Sequence, residues 1–255
     1  MPLVTTDAVV LHAFDYLETS RIVRLATRDA GMQSVIARGA RASNKRFGWA
    51  LDLFASGVAQ IHTRPGRELQ QLSGFDVASA RGALSANLER FSAASALSEL
   101  ALRFAGSDEL GEFFEALTAA LDALAAAPPH RARDVGLAGA WRLVAALGFA
   151  PALDVCCSCH EMIASNATVS FSHAAGGAAC SRCAGALPRG RALPAQARAA
   201  LRAWSTGEEA PVSDESMRRA HLRLLREFLE QHLNDGRALR AFESWERGVG
   251  GVHNA

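Results

Sequence analysis

Five cysteines fall within residues 156–183 of this 255-residue chain, and four of them form two Cys-x-x-Cys pairs, Cys156/Cys159 and Cys180/Cys183, separated by 20 residues. Each tight pair aims two sulfurs at one point, and two pairs at this distance complete the tetrahedron of a zinc ribbon. Four thiolates saturate a zinc ion, so the metal expected here is structural: a catalytic zinc keeps one position open for water or substrate. Cys157 is a fifth thiol that does not fit the spacing to Cys159, and His160 and His173 are alternative ligands. A cluster of reduced cysteines without metal is the competing reading.

A second set of residues suits phosphate chemistry. Residues 20–48 carry Arg21, Arg24, Arg28, Arg38, Arg41, Lys45 and Arg46 against the single acid Asp29. The stretch from Arg38 to Trp49 adds Phe47 and Trp49 to these cations, the mixture needed for phosphate contacts and base stacking. Arg21, Arg24, Arg38, Arg41, Lys45, Arg46, Phe47 and Trp49 are the expected DNA-contacting residues. Phe47 and Trp49 as plain core anchors is the other reading. A third basic stretch, Arg218, Arg219, Arg223 and Arg226, is interleaved with Glu227 and Glu230. It is either a partner-binding face or a set of intrahelical ion pairs.

Residues that would carry catalysis are sparse. Walker A, GxGxxG, GxSxG and HExxH patterns are all absent. Asp7, Asp15 and Glu18 are too thin a basis for a metal nuclease, and His62, His221 and His232 read as surface or satisfied core positions. No enzyme is expected.

Two kinds of element must position these groups. Residues 7–11, 21–27, 33–37, 51–61 and 69–75 alternate or are rich in β-branched side chains, and they are separated by turn signals such as Arg64-Pro65-Gly66. Five short strands predict a small closed barrel of the OB type over residues 1–79. From residue 80 the apolar period becomes three to four. Leu84 to Phe104 predicts one helix, and Ser107 caps a second that runs to Pro128-Pro129. A third ends near Gly148, and residues 194–204 and 213–233 predict two more. The expected fold is α+β: an OB barrel, then a helical domain over 80–247 with a zinc ribbon inserted at 154–185. Residues 248–255 are expected to be a disordered tail.

Composition bounds the partners. Hydrophobic residues make up 49% of the chain, enough for a substantial core. Twenty-six arginines stand beside one lysine, and the net charge is only +1, so any nucleic-acid site must come from local clustering. No apolar run approaches membrane-spanning length, and no basic leader precedes an apolar stretch. A cytoplasmic protein is expected, where thiols favour metal over disulfide.

Residues 8–31 (Ala8-Val-Val-Leu-His-Ala-Phe-Asp-Tyr16 onward) and Val35-Ile-Ala-Arg-Gly-Ala-Arg41 resemble the opening of the bacterial recombination mediator family RecO. The four-cysteine segment, with Gly176-Gly177 before its second pair, is similar to that family's zinc ribbon. The segment Leu224-Leu-Arg-Glu-Phe-Leu-Glu-Gln-His-Leu233 resembles its closing helix. The resemblance spans residues 5–245, and Cys157 departs from it. It implies a non-enzymatic protein that binds single- and double-stranded DNA and anneals complementary strands. It also implies work with RecR to displace single-stranded-DNA-binding protein so that RecA can load. The acidic, apolar tail of single-stranded-DNA-binding protein is then expected on the helical domain, with Arg218, Arg219 or Arg223 as carboxylate partners. A zinc-ribbon module binding RNA or acting in transcription is the alternative.

Overall fold

Alternation along the first strands closes them into a barrel. The computed structural model describes residues 2–40, 47–106, 110–187, 190–208, 210, 214–232 and 236–248. Strands β1 (Leu3–Tyr16), β2 (Ser20–Thr27), β3 (Gly31–Ala37), β4 (Ser56–His62) and β5 (Leu69–Ser79) join in the order β1-β2-β3-β5-β4. Only β3 and β5 pair in parallel. That is the closed five-stranded arrangement of an OB-like barrel. Ala8, Val10, Val23, Leu25, Val35 and Ile61 are among the residues filling it.

The outer face of β1 is covered in its middle. Val9 and Leu11, with Ala26 and Phe54, belong to the core of the helical region. Residues 8–11 are therefore buried on both sides, and a register shift between Val10 and His12 follows directly. Arg81 ties the two parts together from a nearly sealed position. Its Nε donates to Asp122 at 2.6 Å and its Nη1 to the Phe54 carbonyl at 2.7 Å.

The strand expected over 51–61 begins five residues later. Gly48–Leu51 forms a 3-10 turn, and Phe54 reverses the chain at φ 69°. Leu51 fills the barrel whereas Phe54 enters the helical core, so two apolar anchors for different cores imitate the alternation of one strand.

Helices α1 (Gly82–Ser85), α2 (Leu88–Phe104), α3 (Gly111–Ala126) and α4 (Ala132–Ala146) follow. The single helix expected from Leu84 is broken because Asn87 caps α2, accepting from the Arg90 amide at 3.1 Å. The cap expected at Ser107, the last stripe position Leu233 and the tail from 249 lie outside the described residues. Between α4 and α5 (Ala195–Thr206) sits a three-stranded sheet of β6 (Val169–Ser172), β7 (Gly177–Ala179) and β8 (Arg191–Leu193), in the order β7-β6-β8. Helix α6 (Glu215–His232) carries the expected leucine stripe.

A last helix, α7 (Arg240–Arg247), has no counterpart in the sequence reading because eight residues show too little periodicity. Its anchors are the buried Phe242 and Trp245. Its first amides, from Arg240, Ala241 and Phe242, donate to the Glu99 carboxylate on α2, which satisfies three otherwise orphaned donors.

Candidate metal centre and nucleic-acid interface

The four cysteines of the two pairs converge. The Sγ atoms of Cys156, Cys159, Cys180 and Cys183 all lie within 4.8 Å of one another. Tight turns bring this about: the His160 amide donates to the Cys156 carbonyl at 2.9 Å, and the Cys183 and Ala184 amides donate to the Cys180 carbonyl at 3.1 and 2.9 Å. The Cys180 amide also donates to the Cys156 sulfur at 3.4 Å.

The donor set fits a tetrahedral ion. Metal–sulfur bonds of about 2.3 Å require sulfurs about 3.8 Å apart, and Cys159 Sγ lies 3.8 Å from Cys180 Sγ. Backbone amides, chiefly that of Cys159 and then that of Cys180, bring the Cys156 thiol down to about 6. The Cys180 sulfur, with Cys159 beside it, pushes Cys183 up to about 12. Four thiolates at this distance repel one another unless a cation stands between them.

Cys157 turns away from the group. Its amide donates to the Ala178 carbonyl at 2.8 Å, its sulfur lies 3.7 Å from the Gly177 carbonyl, and burial raises its pKa. Among the described residues neither His160 nor His173 joins the cluster.

The ribbon is welded to the helices. Phe171 on β6 is fully buried and meets Phe228 of α6, which packs edge-on against Trp141 of α4. Gly177 is required at the join, because a Cβ there would sit 2.4 Å from the Ala152 carbonyl oxygen. His232 of α6 adds a 2.6 Å bond to the His173 carbonyl.

Among the described residues the basic side chains of the 20–48 stretch do not form one patch. Arg24 faces the helices, 3.5 Å from the Leu102 carbonyl. Arg28 pairs with Asp7 and Glu115 and lies over the Phe114 ring. Arg21 pairs with Asp15 at 3.2 Å. Arg38 is exposed at the end of β3. Arg41, Lys45 and Arg46 lie outside the described residues, as does the side chain of Trp49. Phe47 is a core anchor: at 4% exposure inside the barrel it has no face left for a base.

A cavity of about 610 Å³ opens beside Arg38, lined also by Tyr16, Leu17, His62, Arg64 and Arg67. Arg64-Pro65-Gly66-Arg67 is a tight turn closed by the Arg67 amide on the Arg64 carbonyl at 3.2 Å, with Gly66 at φ +75°. Gln70 braces this turn, accepting from the Arg64 amide at 2.7 Å and donating to the Arg64 and Arg67 carbonyls. Sequence reading took the segment only as a turn. That Pro-Gly would present two arginines beside Arg38 depends on the parallel pairing of β3 with β5, a contact that no local pattern reports.

On α6, Arg218 is committed to Asp134 at 3.1 and 3.2 Å, and Arg219 lies 3.3 Å from Glu215. Arg223 is half exposed, 3.7 Å from Glu246. It borders an apolar pocket of about 150 Å³ formed with Leu193, Pro194, Met217 and Leu224, and Arg191 stands at the same opening.

His221 also lines this pocket. It is 1% exposed, neither ring nitrogen has a partner, and burial lowers its pKa to about 4. In the unfolded chain its ring takes a proton near pH 6.5. Its contribution is therefore intact above that value and is lost as pH falls toward 4, by on the order of 3 kcal/mol. Denaturant unfolding at several pH values is expected to show this loss and to show it much reduced in His221→Phe. An equal acid sensitivity in both proteins would exclude His221 as its source.

Comparison with known proteins agrees with this architecture. Residues 1–81 match the family model "Recombination protein O N terminal" and residues 85–240 match "Recombination protein O C terminal". The DNA repair protein RecO of Anaeromyxobacter sp. (strain K) is 38% identical over 251 residues, covering 95% of this chain and 96% of the relative. That of Anaeromyxobacter dehalogenans (strain 2CP-1) is 38% identical over 243 residues, covering 92% and 93%. No helix among the described residues is long and apolar enough to cross a membrane.

Proposed function

The chain belongs to the RecO family of DNA repair proteins, and on that premise we propose that it is a mediator that works without turnover. It binds single- and double-stranded DNA and anneals complementary strands. With RecR, it removes single-stranded-DNA-binding protein so that RecA can load. It acts in the cytoplasm, at the nucleoid. Residues 1–79 form the nucleic-acid-binding unit, and residues 80–247 form the partner-binding unit. The observation that carries this reading is the cavity at the barrel mouth, where Arg38, Arg64 and Arg67 stand beside Tyr16. Cations and an aromatic on a barrel surface are what a strand with exposed bases needs.

Annealing tests the reading as a whole. Complementary strands precoated with single-stranded-DNA-binding protein are expected to pair when this protein is added without nucleotide. Failure to anneal there, with bare strands also unaffected, would remove the mediator reading. Preferential binding to RNA would favour a zinc-ribbon RNA module.

The metal is zinc, held by Cys156, Cys159, Cys180 and Cys183 as a structural ion. The tail of single-stranded-DNA-binding protein docks at the pocket between β8 and α6. Leu193, Pro194, Met217 and Leu224 take its apolar end and Arg223 takes a carboxylate, while Arg191 at the same opening is held by Glu227. Arg223 is the better placed of the three candidates on α6, because Arg218 is spent on the largely buried Asp134. In calorimetric titration of the tail peptide into the full chain, Arg223→Ala is expected to weaken binding about tenfold, the scale of one hydrogen bond to a charged group. Unchanged affinity in both Arg223→Ala and Met217→Glu would place the tail elsewhere.

A further inference from the structure

Strand β1 carries three exposed rings that the fold does not use. His12, Phe14 and Tyr16 are alternate residues and so share one face of the strand. Phe14 and Tyr16 are 44% and 41% exposed. The His12 and Phe14 ring centroids are 5.6 Å apart. The register sets Tyr16 opposite Ser20, Phe14 opposite Ile22, and His12 opposite Arg24. One end of this row, Tyr16, lines the basic cavity at the barrel mouth.

The other end, His12, enters a separate cleft of about 480 Å³ between barrel and helices, walled by Arg24, Arg103 and Arg240. Among the residues lining that cleft three arginines face one carboxylate, Glu99, which lies 3.9 Å from Arg103. Arg103 spends its donors on the carbonyls of Ala238 and Arg237 at 3.0 and 2.7 Å. The single carboxylate lining it, Glu99, accepts the three amides at the start of α7. Ser98, 3% exposed, also lines the cleft, and its hydroxyl has no partner.

We propose that the outer face of β1 is a track for single-stranded nucleic acid, running from the barrel-mouth cavity over Tyr16, Phe14 and His12 into the cleft between Arg24, Arg103 and Arg240. The proposal rests on the DNA-binding reading and adds its path and its strand selectivity. Alternate residues of a strand are about 6.8 Å apart, twice the 3.4 Å spacing of successive nucleotides in a duplex. Bases that stack on successive rings must be pulled apart by that factor. A single strand reaches this spacing, and a paired one cannot without melting.

The test uses Phe14→Ala/Tyr16→Ala, at positions exposed enough to leave the core intact, and oligothymidylates of roughly 4 and 16 nucleotides, the range one such barrel covers. Affinity for the longer strand is expected to fall about tenfold or more, duplex affinity is expected to stay within about twofold, and Phe14→Trp is expected to retain binding. Arg24→Gln/Arg240→Gln is expected to lower the salt slope for the longer strand and leave that for the shorter one unchanged. Unchanged single-strand affinity in the ring variant, or equal losses for single strand and duplex, overturns the track. A wild-type protein that binds no DNA of either kind would instead defeat the parent reading.

Discussion

Replacing Cys180 with serine is expected to release the metal and to take part of the helical region with it. One zinc per chain is expected by elemental analysis of the wild type, none in Cys180→Ser, and one still in Cys157→Ser. The magnitude follows from coupling: binding of a structural zinc to four such ligands supplies on the order of 10 kcal/mol of local folding free energy. A whole domain is stable by only about 5–15 kcal/mol. Loss would not stay local, because Phe171 leads from the ribbon through Phe228 to Trp141 in the middle of α4. A lowered melting temperature and reduced solubility should therefore accompany metal loss. Zinc retained in Cys180→Ser, or lost in Cys157→Ser, would overturn the ligand set. The second outcome is disfavoured by the Cys157 sulfur, which lies against the Gly177 carbonyl and not against the other four.

The convergence of the four cysteines was legible in the sequence because its information is local. Each pair is one tight turn, and only the hairpin between them has to be right. The barrel was legible for a similar reason: antiparallel neighbours β1, β2 and β3 follow one another, and their alternation shows in residue type. What the sequence did not reveal lies where two distant pieces meet. Leu51 and Phe54 read as one strand because apolar character does not say which core a side chain enters. Arg24 and Arg38 read as one patch because charge does not say which barrel face a residue occupies; β2 turns Arg24 to the helices, and Arg38 reaches the mouth. Arg64 and Arg67, 26 residues or more from Arg38 in sequence, join it only through the β3–β5 pairing.

That division sets the second large effect, on single-strand binding. Changing Arg38, Arg64 and Arg67 together to glutamine is expected to reduce the salt slope by about 2, since each phosphate contact on a single strand contributes roughly 0.7. At about 0.1 M salt the same slope corresponds to about a hundredfold loss of affinity, fivefold per contact. Stability should change little, because Arg38 is exposed and the turn at Arg64-Pro65-Gly66-Arg67 is held by backbone and Gln70 bonds that survive the substitutions. A parallel triple change of Arg41, Lys45 and Arg46 separates the two basic segments. If the cavity carries the phosphates, the first variant loses slope and the second keeps most of it. If Arg41, Lys45 and Arg46 carry them, the order is reversed. Wild-type affinity and slope in both folded variants would remove both basic segments as the phosphate contacts, and the cleft lined by Arg24, Arg103 and Arg240 would then be the place to look.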